Sequence, residues 1–148
     1  MDKKRFPVFY GGKRMPWATG TAVRGAGGFV FLCGSEGRDP DTDEVVEGMA
    51  AQVKMSLAKI KDRLEEFGTS PDNICHMWYY VRGSEFSEGI ENDPKWIEAQ
   101  KARNEFWLDN GYPDLVNSVP GTLVGVTSLA KKEMLIEITA IAALPPLD

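Results

Sequence analysis

Residues 27–37, GGFVFLCGSEG, and residues 119–142, VPGTLVGVTSLAKKEMLIEITAIA, are the two stretches that decide the fold of this chain. Both contain short runs rich in β-branched and aromatic residues, bounded by glycine or proline, which is typical of β-strands. The first stretch predicts one strand at residues 29–33. The second predicts two more, at residues 122–127 and 134–143.

The N-terminal part of the chain contains a further apolar run at residues 19–24. Glycines separate this run from residues 29–33, and two short apolar runs bounded by glycine predict a β-hairpin. Glycine, proline and charged residues interrupt residues 1–18, which predict an irregular arm or a short edge strand. Residues 37–44, GRDPDTDE, have the composition of a polar turn.

Two helices and a central strand are predicted in the middle of the chain. Apolar residues recur every three or four positions across residues 46–67, the mark of an amphipathic helix. Residues 74–82, ICHMWYYVR, predict a strand. Alternation along this strand places the following side chains on one face: His76, Trp78, Tyr80 and Arg82. Pro94 suits the first turn of a second helix, which Asn110 ends.

The composition bounds the class of protein. With 148 residues, of which 43% are hydrophobic and 26% charged, residues 1–148 are expected to form a single globular domain. The net charge of -5 argues against a nucleic-acid partner, because phosphate binding needs a basic surface. The N-terminus lacks the apolar core of a signal peptide and no apolar run is long enough for a bilayer, so we expect a soluble, cytoplasmic protein without a membrane partner.

The cysteines and the single histidine do not suggest a metal site. Cys33 and Cys75 each lie in an apolar strand pattern, which favours buried, reduced thiols over a disulfide. One histidine and two distant cysteines lack the spacing of a metal-ligand set, so we expect neither a metal nor another cofactor. His76 is the natural candidate for acid–base chemistry, but its position in mid-strand favours a structural role.

The order of the predicted elements is β-β-α-β-α-β-β. This order indicates an α+β fold, with one sheet and two helices packed on a single face. The uncovered face would carry Trp78 and Tyr80. Because a large exposed apolar patch usually marks an association surface, we expect the chain to self-associate.

Several motifs, taken in order, resemble the YjgF/RidA family over residues 22–144. They are GGFVFLCGSEG, GMAAQ at residues 48–52, EEFGTSPDNI at residues 65–74, VPGTLVGV and LIEITAIA. The resemblance implies a chorismate mutase-like/YjgF fold with one mixed β-sheet. It also implies a homotrimer with a central barrel and a ligand cleft between each pair of subunits. The best-known members of this family hydrolyse reactive imines and enamines.

The chain departs from that family at its active site. The family's imine deaminases carry an arginine that grips a substrate carboxylate just before the V-x-V strand, and this chain has Gly121 there. Leu123 stands where a cysteine is usual. In the last strand the first acid of the pattern is kept as Glu137, and the second position is Thr139. The resemblance implies Glu137 and Thr139 as catalytic residues, in a protein that is not a standard 2-imino acid deaminase.

The strand pattern suggests how this cleft differs. Gly121, Leu123 and Gly125 share one face of their strand, and Glu137 and Thr139 share one face of the next. We expect the first set to form a small, apolar cleft wall opposite the second. Glycines in place of longer side chains leave space, which either a larger substrate or side chains from elsewhere in the chain would fill.

Substrate-binding candidates come from this wall, from the glycine-rich segment near residue 34, and from two loops that are longer than in the family. The full set is Cys33, Gly34, Arg82, Trp96, Arg103, Asn117, Gly121, Thr122 and Leu123. Arg82 is a candidate replacement for the missing arginine, and Tyr112 lies in one of the long loops. The loop residues could instead pack against a neighbouring subunit.

Two functions are compatible with the sequence. The first is a deaminase or lyase that hydrolyses an enamine, imine or aminomuconate-type substrate in inter-subunit clefts, with Glu137 transferring a proton. The alternative is a non-catalytic trimer that binds a small metabolite or has a regulatory role. In either case the partners expected are a small molecule and further copies of this chain.

Overall fold

The first 24 residues form an antiparallel hairpin in the computed structural model, which describes residues 1–83 and 86–147. Strands β1 (Asp2–Tyr10) and β2 (Lys13–Arg24) are joined by Gly11 and Gly12, whose φ angles are 54° and 76°. Two successive residues with positive φ are what a type I′ hairpin turn requires. Of the two expectations for residues 1–18, the irregular arm is therefore wrong. A strand is present there but is longer than expected, because this Gly–Gly pair closes a long hairpin.

A mixed sheet contains the other described strands. They are β3 (Gly28–Phe31), β4 (Ser35–Glu36), β5 (Ile74–Arg82), β6 (Gly121–Val126) and β7 (Ile136–Leu144). The order is β3–β7–β5–β6, with β4 also pairing with β7; β5 and β6 run parallel, and the other pairs are antiparallel.

The predicted hairpin between residues 19–24 and 29–33 is also wrong. β2 pairs with β1, and β3 pairs with the C-terminal strand β7. The chain enters β3 against its own C-terminal segment, since a Cβ added at Gly27 would lie 2.3 Å from the Pro145 carbonyl oxygen. β3 therefore pairs with the distant strand β7 and not with residues 19–24, the apolar run nearest to it in sequence.

Two helices cover one face of this sheet, as predicted. Helix α1 (Met49–Glu66) is followed by Gly68 at φ 74°, the left-handed conformation common just past a helix end. Helix α2 (Pro94–Asp109) is capped by Asp93, whose Oδ1 accepts a 2.8 Å hydrogen bond from the Lys95 backbone N–H. Neither helix of the described residues has the length and apolar composition needed to span a membrane.

The core lies between these helices and the sheet. Helix α1 contributes Leu57 and Ile60, and the sheet contributes Met77, Val81 and Ile138, all of which are fully buried. Burial of each such side chain contributes about 1.5–3 kcal/mol, so this layer supplies much of the driving force for folding. The layers give the predicted α+β fold with one mixed sheet and two helices.

The opposite face of the sheet is open in the single chain. The predicted alternation along β5 is confirmed, because Met77, Tyr79 and Val81 are buried whereas Trp78 and Tyr80 are only half-buried. Towards the β3 edge, the side chains of residues 29 and 31 are 49% and 73% exposed, and both are phenylalanines. Among residues 1–83 and 86–147, the sheet thus has one face buried under the helices and one apolar face that stays partly exposed.

Candidate functional site

An apolar cavity of about 380 Å³ lies on the helix side of the sheet, at the beginning of β6. Its floor is formed by Gly121 and Leu123 of β6 together with Tyr79 of β5, and Trp96 of α2 also lines it. The hairpin closes one side with Trp17. A concave, mostly apolar site of this size suits a small organic molecule.

Aromatic rings fix the shape of this cavity. The rings of Tyr79 and Trp96 meet edge to face, with centroids 5.2 Å apart. Tyr79 is 4% exposed and its hydroxyl donates to the Met77 Sδ at 3.3 Å. Both rings are buried in the core, so packing holds these two walls of the cavity in place.

The space expected at the two glycines of β6 is largely occupied by other side chains. A Cβ added at Gly121 would lie 3.2 Å from the Tyr79 Cε2, and one added at Gly125 would lie 2.8 Å from the Phe86 Cε2. Of the two sequence-based expectations, side chains from elsewhere in the chain fill most of the room. The rest is the cavity that Gly121 lines.

Arg103 is the cation of this cavity. It lies on α2, is 8% exposed, and stacks its guanidinium 5.7 Å from the centroid of the Tyr79 ring. Its Nε and Nη2 donate to the Asn104 Oδ1 at 3.3 and 3.2 Å. The Asn104 Nδ2 in turn donates to the Asn117 Oδ1 at 3.2 Å. The structure therefore brings together five of the predicted binding residues: Trp96, Arg103, Asn117, Gly121 and Leu123.

The predicted catalytic residues lie on the other face of the sheet. The Thr139 hydroxyl donates to the Leu32 carbonyl oxygen at 2.5 Å. The Glu137 carboxylate packs over Gly34, where an added Cβ would lie 2.0 Å from its Oε1. Burial raises the pKa of Glu137 above its ordinary value, and the neighbouring Glu36 raises that pKa further.

Thr122 belongs to this open face as well. Its hydroxyl shares a 2.9 Å hydrogen bond with the His76 Nε2, and the His76 ring lies 4.2 Å from the Trp78 ring. Burial lowers the pKa of His76, which favours the neutral imidazole at neutral pH. A neutral ring bonded to a hydroxyl within the sheet fits the structural role expected for this histidine.

Within a single chain, the two sets of residues predicted to line the cleft do not face each other. Gly121 pairs with Met77 on β5, whereas Thr139 pairs with Trp78, the next residue along. Adjacent residues of β5 point to opposite faces, so Gly121 and Leu123 lie on the helix side and Glu137 lies on the open side. Alternation within each strand was predicted correctly, but the phase between the strands was not.

Three further candidates lie outside the cavity. Cys33 is exposed, contrary to the expectation of a buried thiol, because β3 ends two residues before it, and its Sγ is 3.6 Å from the Arg63 Nη1. Arg82 is half-buried at the end of β5 and does not line the cavity. Tyr112 packs against Trp107, with ring centroids 6.1 Å apart. Within residues 1–83 and 86–147, no group of three acidic, histidine or cysteine side chains could hold a metal ion.

Sequence reasoning missed two aromatic walls of the cavity, Trp17 and Tyr79. The alternation in ICHMWYYVR already separates Tyr79 from Tyr80, but only the pairing of β5 with β6 shows that Tyr79 lies beside Gly121. Trp17 reaches the cavity through the hairpin, which the sequence had not predicted.

Known structures show the same architecture. The crystal structure of the Rid family protein YyfB from Yersinia pestis matches with a TM-score of 0.65 and 21% identity, covering 87% of each chain. The E. coli YjgF gene product matches with a TM-score of 0.64 and 22% identity, covering 93% of this chain and 92% of that one. E. coli TdcF with bound serine gives a TM-score of 0.64 and 22% identity, over 94% and 93% of the two chains. The domain therefore has the YjgF fold.

The sequence itself places the chain more narrowly. The family model for Endoribonuclease L-PSP matches residues 14–144, and the chain belongs to that family, the YjgF/RidA group indicated by its motifs. A RutC family protein from Aquifex aeolicus (strain VF5) is 31% identical over 80 residues, which are 51% of this chain. The match spans 64% of the length of that relative.

Proposed function

We propose that this chain is a divergent YjgF/RidA protein that hydrolyses a C=N or enamine bond in a bulky small molecule, and that it is not a standard 2-imino acid deaminase. The observation that carries this proposal is the aromatic-walled cavity of about 380 Å³ at Gly121 and Leu123. Where the family's deaminases present an arginine, this strand presents no side chain. A pocket with this lining favours a flat, apolar substrate over a small polar imino acid.

The split between the two faces of the sheet supports assembly as a homotrimer. The cavity and Glu137 lie on opposite faces, so a cleft that uses both must take them from two copies of the chain. The open face, with Trp78 and Tyr80 half-buried and Phe31 exposed, is suited to such a contact. An inter-subunit cleft is also what the family resemblance implies.

In the proposed reaction, water adds to the carbon of the C=N bond and a proton goes to its nitrogen. The resulting carbinolamine expels ammonia and leaves a carbonyl group; an enamine first takes a proton on carbon to become the imine. Glu137 is the proposed proton carrier, because its raised pKa keeps both protonation states accessible closer to neutral pH. The Thr139 hydroxyl donates to Leu32, which leaves its oxygen as an acceptor for the attacking water.

Ammonia release from imines generated in situ tests this function. We expect faster release from 2-imino-3-phenylpropanoate than the spontaneous rate, and little acceleration with 2-iminopropionate. Glu137→Gln should abolish the acceleration, while Glu66→Gln, an exposed carboxylate on α1, should not. Rapid turnover of 2-iminopropionate, or an unaffected Glu137→Gln variant, would contradict the proposal.

The alternative is a trimer that binds a small metabolite without turning it over. It is favoured by Thr139, which replaces the second acid of the family pattern. The Thr139 hydroxyl donates its proton to the Leu32 carbonyl oxygen and so cannot donate it to a substrate. TdcF, whose fold this chain shares, has been crystallised with bound serine. Saturable binding of an aromatic ligand, with no ammonia release from any imine or enamine supplied, would support this alternative.

A further inference from the structure

The buried guanidinium of Arg103 has no anionic partner among the described residues. It is 8% exposed, and across residues 1–83 and 86–147 no carboxylate lies within salt-bridge distance of it. Its hydrogen-bond partner there is the neutral amide of Asn104. Burying a charge is costly unless it is paired, so this position calls for an anion.

One nitrogen of the Arg103 guanidinium is left without a hydrogen-bond partner among the described residues. An arginine has five N–H donors, and two of its nitrogens, Nε and Nη2, are used on Asn104. Nη1 has no hydrogen-bond partner among the described residues. If it were also fully enclosed, it would be a buried, unsatisfied donor, but within the described part of the chain only the Trp107 Nε1 is one. Nη1 therefore keeps some access to solvent. Because Arg103 lines the cavity, we infer that this nitrogen is available to a ligand bound there.

The surroundings hold this group in place. Asn104 is itself hydrogen-bonded to Asn117, and the Arg103 guanidinium stacks on the Tyr79 ring. An arginine fixed in this way loses little conformational freedom on binding, and its planar fork matches a carboxylate.

The rest of the cavity indicates the shape of the ligand. Tyr79, Trp96, Trp17 and Leu123 form apolar walls suited to a flat ring. Glu91 also lines the cavity and disfavours a second negative charge. The site therefore combines one cationic group, a set of aromatic and apolar walls, and one carboxylate at Glu91.

We propose that Arg103 is the carboxylate anchor of this cavity, and that the ligand is an aromatic monocarboxylate. The anchor is supplied by α2 instead of the beginning of β6. This inference shares the cavity with the proposed function and rests on it only in that respect. It concerns the binding of a ligand and not its turnover.

Phenylacetate and its neutral counterpart phenylacetamide test this proposal, because they differ in charge but hardly in shape. Titration calorimetry with the full chain should show phenylacetate binding at least about tenfold more tightly, as expected for a charge-assisted pair. Arg103→Gln should remove that preference by weakening phenylacetate about tenfold or more, and should leave phenylacetamide within about twofold. Lys101→Gln, on the exposed face of the same helix, is the matched control and should keep the preference.

The comparison of acid and amide on the unaltered protein keeps the test decisive even if Arg103→Gln fails to fold. Equal binding of the two compounds, no binding of either, or an equal loss of both in Arg103→Gln would overturn the assignment. Failure of the proposed reaction looks different: phenylacetate would still be preferred while no imine released ammonia. Turnover that depends on Glu137 without acid selectivity would instead retain the reaction and reject the anchor.

Discussion

At the scale of single residues, Gly121 cannot be interpreted only as the loss of the arginine side chain that the family's imine deaminases carry there. The edge of Tyr79 occupies the space next to Gly121, because an added Cβ would lie 3.2 Å from the Tyr79 Cε2, which is closer than ordinary van der Waals contact. Arg103 lines the same cavity from α2. In the proposal that Arg103 anchors the ligand, the positive charge of this pocket comes from α2 instead of β6. A substitution at one position of a pocket is interpretable only together with the side chains that occupy the vacated space.

Glu137 provides a pH-dependent prediction at this scale. Its folded pKa is raised by burial and then by Glu36, so ionisation of its carboxyl is disfavoured in the folded state. The stability this group permits is fully present below its ordinary pKa of 4.5 and is lost as the pH rises through the raised folded pKa. Glu137→Gln should therefore have a higher Tm than the unaltered protein at pH 7, and a similar Tm at pH 4.

Thermal unfolding at the two pH values measures this difference. Glu66→Gln is the matched control, because it removes an exposed carboxylate and should leave the Tm difference between pH 4 and pH 7 unchanged. An equal Tm shift for Glu137→Gln at both pH values would show that the effect does not come from ionisation.

At the scale of elements, Gln52 ties α1 to the start of β7. Its Nε2 donates to the carbonyl oxygens of Val46 and Glu133, both at 3.0 Å. Its Oε1 accepts a 2.8 Å hydrogen bond from the Leu135 N–H. The side chain is 1% exposed, so water has little access to replace it. This single amide fixes the helix against the strand that carries Glu137.

Replacing the Gln52 side-chain amide should destabilise the fold strongly. Gln52→Leu preserves much of the volume but leaves three backbone groups without their partner, and we expect it to lower the free energy of unfolding by roughly 2–4 kcal/mol. Lys54→Ala, on the same helix, breaks an exposed ion pair with Glu105 and should cost less than about 1 kcal/mol. Urea denaturation of the two variants gives both values, and a Gln52→Leu cost no larger than that of Lys54→Ala would refute the role of the amide.

At the scale of the whole molecule, the open face of the sheet predicts association. A mixed sheet covered by helices on one side only leaves Trp78, Tyr80 and Phe31 towards solvent in the single chain. Apolar patches of this kind are rarely left uncovered in soluble monomers. Size-exclusion chromatography with light scattering should therefore give the mass of three chains.

A charge placed on that face should break the assembly. Tyr80 pairs with Glu137 across β5 and β7, so Tyr80→Glu sets two carboxylates side by side and should yield monomers. Phe67→Glu changes another aromatic residue, 59% exposed at the end of α1, and should leave the mass unchanged. A monomeric unaltered protein would contradict the proposed trimer.

The sequence by itself determined the two helices, the limits of β5 and the identity of its two faces. These are local properties, because helical and strand periodicities are set by neighbouring residues and by where glycine and proline interrupt them. The family motifs likewise pointed to the YjgF fold, and the family match over residues 14–144 confirmed the resemblance. The same comparison with the family pattern also selected candidate binding residues such as Trp96 and Arg103.

Only the tertiary structure decided which strands pair and how Gly121, Glu137 and Arg103 lie relative to one another. Alternation tells which residues of one strand share a face, but the phase between β5, β6 and β7 is set by pairing between residues 44 to 68 positions apart in sequence. A shift of one residue would exchange the faces. That is why the sequence did not show that, within one chain, the aromatic cavity lies on one side of the sheet and the Glu137 carboxylate on the other.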